Sequence, residues 1–112
     1  MTEQRIVTNA ELQKALDWLR DSASDIGAAK ARAVKAGHMP KHVEAIEFKL
    51  SEATSNDKRQ ADARTSDAYL DAINEDAFAA GELAKMQALR EAAAAKIEAW
   101  RSEQANWRSM KI

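Results

Sequence analysis

From Asn56 to Trp107 the chain has no proline and a single glycine, Gly81. That run limits the fold more than any other feature. Proline and glycine are the main helix breakers, one for want of an amide donor and the other through its backbone freedom. Alanine, which loses no side-chain entropy in a helix, is the commonest residue across the run. Aromatic residues make up only 5% of the 112 residues, a poor supply for a β-sheet. A helix of this length exceeds the roughly 8–20 residues usual in globular proteins, which points to coiled-coil or bundle packing.

Apolar spacing divides the run. Leu70, Ile73, Ala77 and Ala80 form one stripe. Leu83, Met86, Ala93, Ile97, Trp100 and Trp107 form another, with Arg90 and Gln104 in its polar slots. The three-residue step from 80 to 83 reads as a stammer, a local overwinding of a heptad pattern. A bend or tight loop at Gly81 is the alternative.

Upstream, Thr8-Asn9-Ala10-Glu11 fits a capping box, with Val7 and Leu12 placed as a hydrophobic staple. Leu12, Leu16, Leu19, Ala23, Ile26 and Ala33 then follow a heptad-like spacing broken by Lys30. Gly37 suits the position just past a helix end, and Pro40 the first position of the next helix. Val43, Ile46, Leu50 and Ala53 give the second helix its stripe. The cluster Thr54-Ser55-Asn56-Asp57 reads as a break and restart. The spacing therefore predicts an all-α protein of one domain, an elongated helical hairpin or small bundle with coiled-coil-like packing. A loose tail over 1–7 precedes helices near 9–36 and 40–53, which fold back on one long C-terminal helix near 56–108.

Charge narrows the function. The net charge of −1 provides no broad basic field for nucleic acid or an anionic membrane. Residues 57–82 hold seven acids against three bases, and residues 83–112 six bases against three acids. Acid near a helix start and base near its end suit the helix dipole. There is no cysteine for a disulfide, thiolate metal site or nucleophile. No apolar run approaches the ~20 residues that span a bilayer, and the N-terminus lacks a signal-peptide core. The expectation is a soluble cytoplasmic protein with no membrane partner.

Little in the sequence resembles a catalytic toolkit. His38 and His42 are too few to hold a metal without further ligands. Asp21 and Asp25 lack the desolvated pocket that would separate two carboxyl pKa values. No nucleophile elbow or phosphate-binding glycine loop is present. A non-enzymatic protein without cofactor or metal is expected.

Trp100-Arg101 recurs seven residues later as Trp107-Arg108, so on a helix the two tryptophans share one face and the two arginines the next. Such a face can be plain core, a protein interface or a single-stranded nucleic-acid platform. The weak overall charge favours the first two. The apolar stripes hold about ten large side chains, each worth roughly 1.5–3 kcal/mol on burial, which is thin for a monomer of this size. A homodimer or higher oligomer packed through Leu83, Met86, Ala93 and Ile97 is therefore expected.

Residues 55–108 resemble a group of small helical proteins of tailed bacteriophages and prophages. The resemblance is carried by the run Arg59-Gln60-Ala61-Asp62-Ala63-Arg64-Thr65-Ser66-Asp67-Ala68-Tyr69, by Leu89-Arg90-Glu91-Ala92-Ala93, and by the stretch from Lys96-Ile97-Glu98-Ala99-Trp100-Arg101 to Trp107-Arg108. The group's usual ending has an arginine where this chain has Trp107. Its members are often encoded near recombination or single-strand-annealing functions, and they offer no established site residues to carry over. The resemblance implies an accessory protein in a bacterial host cell. It would act by binding a protein of unknown identity, beside DNA recombination or replication. Direct single-stranded nucleic-acid binding and inhibition of a host defence system are the alternatives.

Overall fold

A computed structural model describes residues 5–110. They form four helices: α1 (Asn9–Asp21), α2 (Ala23–Leu50), α3 (Asn56–Arg64) and α4 (Asp67–Met110). No strand occurs among the described residues. The protein is all-α, and α4 is a long C-terminal helix of 44 residues that runs through Gly81 without interruption. The helices build two compact units. The chain up to Ile26 joins the chain from Lys85 onward in unit 1, and Gly27–Ala84 make unit 2.

In unit 1, α1 begins as its sequence dictates. Thr8 has extended backbone, and its hydroxyl accepts the Glu11 amide at 3.1 Å, satisfying one of the orphan donors at a helix start. Of the loose tail expected over residues 1–7, residues 1–4 lie outside the described residues. Val7 is not loose: it is 3% exposed and packs as core. The covered positions of α1 and the start of α2 include Leu12, Ala15, Leu19, Ser22 and Ile26, and those of α4 include Met86, Arg90, Ala93, Ile97, Trp100, Gln104 and Trp107. Both sets follow alternating steps of three and four, the signature of helices that keep one edge turned toward a neighbour. Leu16 and Ala23, two members of the expected α1 stripe, are exposed instead.

The α1–α2 boundary at Ser22 is a break that the sequence reading placed elsewhere. Ser22 keeps right-handed helical angles and its amide still bonds the Trp18 carbonyl at 2.9 Å. The Arg90 side chain, however, donates to the Leu19 carbonyl at 2.9 Å and to the Ser22 hydroxyl at 2.6 Å. An arginine from α4 thus occupies a carbonyl just where the ladder is interrupted.

In unit 2, the covered positions of α2 include Ala29, Ala33, Ala36, Pro40, Val43 and Glu47. Those of α4 include Ala72, Asp76, Ala79 and Leu83. The stripe expected at Leu70, Ile73, Ala77 and Ala80 is exposed, as are Ile46 and Leu50 of the expected second-helix stripe. No stammer is needed, since Ala79, Leu83 and Met86 continue the same alternation of four and three. Alanine was favoured inside because short side chains let two helix axes approach closely.

The predicted break between Gly37 and Pro40 is absent, and α2 passes through both. A glycine ending a helix usually adopts positive φ, and no glycine among the described residues does. Pro40 lies on the covered edge of α2, where packing offsets the hydrogen bond it cannot make. Replacing Pro40 by Ala should therefore restore an amide donor and raise stability by about 1–2 kcal/mol, most of the interior-proline penalty less the lost ring packing. Urea unfolding monitored by circular dichroism would read the gain, and an unchanged or lower midpoint would refute it.

The long helix expected from residue 56 is divided at Thr65 and Ser66. The Thr65 hydroxyl donates to the Ala61 carbonyl at 2.8 Å and that of Ser66 to the Ala63 carbonyl at 2.8 Å. Ser66 also accepts the Tyr69 amide at 3.1 Å, so it caps α4. Two adjacent hydroxyls competing for backbone partners end one helix and start another. The second helix likewise ends at Leu50 rather than 53, where the Ser51 hydroxyl accepts the Ala53 amide at 3.2 Å and donates to Asp62 at 2.7 Å.

Candidate functional site at the tryptophan end of unit 1

The distal part of α4 meets the chain's N-terminal segment. Trp100 and Trp107 are each half-buried. The Trp100 indole N–H donates to the Asn9 side-chain carbonyl at 3.3 Å. The Arg5 guanidinium stands 5.9 Å from the ring centre of Trp107, within cation–π reach. Between them on the same face of α4, Glu103 accepts the Val7 amide at 3.0 Å. Its carboxylate lies beside the start of α1, where the helix dipole favours negative charge. The N-terminal segment is thereby pinned against the tryptophans by one aromatic contact and two hydrogen bonds.

The arginines point away from this seam. Arg101 and Arg108 are exposed. Arg101 makes a surface ion pair with Glu98 at 3.1 Å, and Arg108 reaches back to the Gln104 carbonyl at 3.4 Å. The four residues singled out in the sequence thus occupy one end of unit 1, the indoles half-covered and the guanidinium groups outward. Arg5, Val7, Asn9 and Glu103 were not foreseen there. Only the unmet need of a partly buried indole N–H for an acceptor hinted at a partner such as Asn9.

The residues expected to pack an oligomer are differently placed. Ala93 is buried, and Met86 and Ile97 are half-buried on the edge of α4 that unit 1 covers with its own α1. Leu83 is half-buried within unit 2. The chain itself therefore occupies the edge assigned to a second copy. Trp18 is half-buried and lines a shallow groove with Lys14, Leu89, Ala93 and Lys96.

Unit 2 holds a separate polar group. Arg32 pairs with Glu75 at 2.7 Å and lies 5.0 Å over the ring of Phe78. The hydrogen bond between them, aided by opposite charge, raises the guanidinium pKa and holds the Glu75 carboxyl below its ordinary range. Both groups face water, so the pair contributes little to stability. His38 and His42 stand four residues apart on the uninterrupted α2, both exposed. Among the described residues no group of three or more potential metal ligands gathers. None of the helices among them is long and apolar enough to cross a membrane. No family model, curated protein or solved structure matches the chain.

Proposed function

We propose that this chain is a non-enzymatic, phage-type accessory protein that grips another protein with the tryptophan end of unit 1. The observation that carries the reading is the pairing of two half-covered indoles with outward Arg101 and Arg108. Tryptophan and arginine are the side chains most enriched where interface energy concentrates. Guanidinium groups beside an apolar base fit a partner surface that is apolar at its centre and acidic at its rim. The resemblance of residues 55–108 to phage proteins supports a place beside DNA recombination or replication.

Single-stranded nucleic acid is the weaker reading of the same end. Bases need open indole faces, whereas Trp107 has Arg5 over its ring and Trp100 is tethered to Asn9. A photo-crosslinking residue placed at Arg108, in the cells that make this protein, should yield a discrete protein adduct that Arg101→Glu removes. The same probe at exposed Gln87 should yield none. Adducts to nucleic acid alone, or none at all, would overturn the proposal.

A further inference from the structure

The outer face of α2 in unit 2 carries one sign of charge. From Gly27 to Lys49 the helix turns Lys30, Lys35, His38, Lys41, His42 and Lys49 to solvent, all of them exposed. At about 100° per residue they fall within an arc of roughly 140°, opposite Ala36 and Pro40 on the covered edge. No acid of α2 stands in that arc. Glu44 lies to one side, paired with Arg64 of α3 at 3.1 Å, and Glu47 is half-buried on the covered edge. None of the ion pairs among the described residues uses a lysine. The whole chain has 18 acids against 17 lysines and arginines. Composition therefore does not account for this sorting, and the overall charge of −1 conceals it.

We propose that this face binds the phosphate backbones of double-stranded nucleic acid without reading the base sequence. Its lysines mark a stripe about 29 Å long from Lys30 to Lys49. Lys30 and Lys41 form one shoulder, and Lys35 and Lys49 the other. Between them runs a slim exposed spine of Gly27, Ala31, His38 and Ala45. A helix of this section enters a major groove, about 12 Å wide, with one shoulder turned to each strand. Lysine ammonium groups meet phosphate as point charges, and the imidazole N–H groups of His38 and His42 add donors.

The uncharged side chains of the face select this partner over other anionic surfaces. Val34 and Ile46 are its only large exposed apolar residues, and the nearest aromatic, Phe48, is half-buried with Arg59 of α3 over its ring. A membrane-binding helix needs a broad apolar face of leucine or aromatic side chains to sink beneath the headgroups. A protein interface concentrates its energy in aromatic and arginine anchors. Single strands are held by stacking their bases on aromatic rings. Duplex phosphates ask only for a row of cations, and such contacts position a protein without conveying sequence. The face belongs to unit 2 and is independent of the tryptophan end, so failure of either reading leaves the other standing.

The test uses the full chain and a fluorescein-labelled DNA duplex of about 20 base pairs, longer than the stripe. Anisotropy should report an affinity whose logarithm falls with log salt at a slope of about −3.6, roughly −0.9 for each lysine. Two duplexes of unrelated sequence should bind alike, and a single strand of the same length several-fold more weakly. Lys35→Gln combined with Lys41→Gln, at unchanged helicity, should lower duplex affinity about a hundredfold at roughly 50 mM salt and halve the slope. Lys35→Arg with Lys41→Arg should retain the binding, and Arg101→Gln with Arg108→Gln in unit 1 should leave it unmoved. A slope near zero, an affinity indifferent to the glutamine pair, or tighter binding to the single strand would overturn the proposal. So would binding to vesicles of phosphatidylserine and phosphatidylcholine with none to the duplex. Should the glutamine pair lose helicity, the parent chain's slope and its preference for duplex decide.

Discussion

Arg90→Met should destabilise unit 1 by about 3 kcal/mol and unsettle the α1–α2 boundary. The Arg90 side chain donates to the Leu19 carbonyl and to Ser22, whose side chain is fully buried. Hydrogen bonds from a charged donor are worth roughly 1.5–3 kcal/mol each, and a buried acceptor left without its donor costs a further increment. Methionine keeps much of the apolar stem, so the loss isolates the guanidinium. The deficit should appear in urea unfolding, and hydrogen exchange should quicken around residues 19–26. If Arg90→Met were as stable as the parent, the boundary at Ser22 would need another cause. A compensating Ser22→Ala should recover part of the loss, because the buried hydroxyl would then no longer seek a partner.

Ala63→Leu should cost a similar amount, about 3 kcal/mol, by a different route. Ala63 is completely covered in α3. That helix is tied on several sides: Arg59 donates to the Ala53 carbonyl at 2.9 Å, Asp62 holds Ser51, and Arg64 pairs with Glu44 at 3.1 Å. Adding three carbons to a filled site typically costs 1–3 kcal/mol and sometimes more. The ties leave α3 little freedom to slide aside. The expected result is a lower unfolding midpoint with loss of exchange protection across Asn56–Arg64. Wild-type protection in α3 would show that the site can expand.

The helical character of the chain was legible because it rests on composition. Alanine abundance and the scarcity of glycine and proline set it locally, and the Thr8 cap could be read from one short motif. Which side of each helix turns inward was less legible. Sequence reasoning gave Leu70 and Ile73 to the core by size, whereas the fold covers Ala72, Asp76 and Ala79. Helices that approach closely select small residues, so size misleads where contact is tightest. The lower stripe from Leu83 to Trp107 was correct because large residues fill it. Pro40 and Thr65 show the converse limit: a strong breaker was overridden by packing on a covered edge, and two ordinary hydroxyls made a break. At the tryptophan end, Trp100, Arg101, Trp107 and Arg108 were visible from their seven-residue repeat. Their neighbours Arg5, Val7 and Asn9 lie more than 90 residues away in sequence, and no local pattern reports such a contact.

Unit 2 is a single unbroken stretch, but unit 1 is closed by two stretches that Gly27–Ala84 separate. On the ribosome the first can reach its final contacts while the last turns are still unmade. α1 must wait, with Val7 and Ala15 wet, until the distal part of α4 emerges. Distant pairings of this kind are the slow ones in folding, so proteases and chaperones would meet the newborn protein chiefly at its beginning. Clipping the finished chain near Trp100 would return α1 to the same unsheltered state.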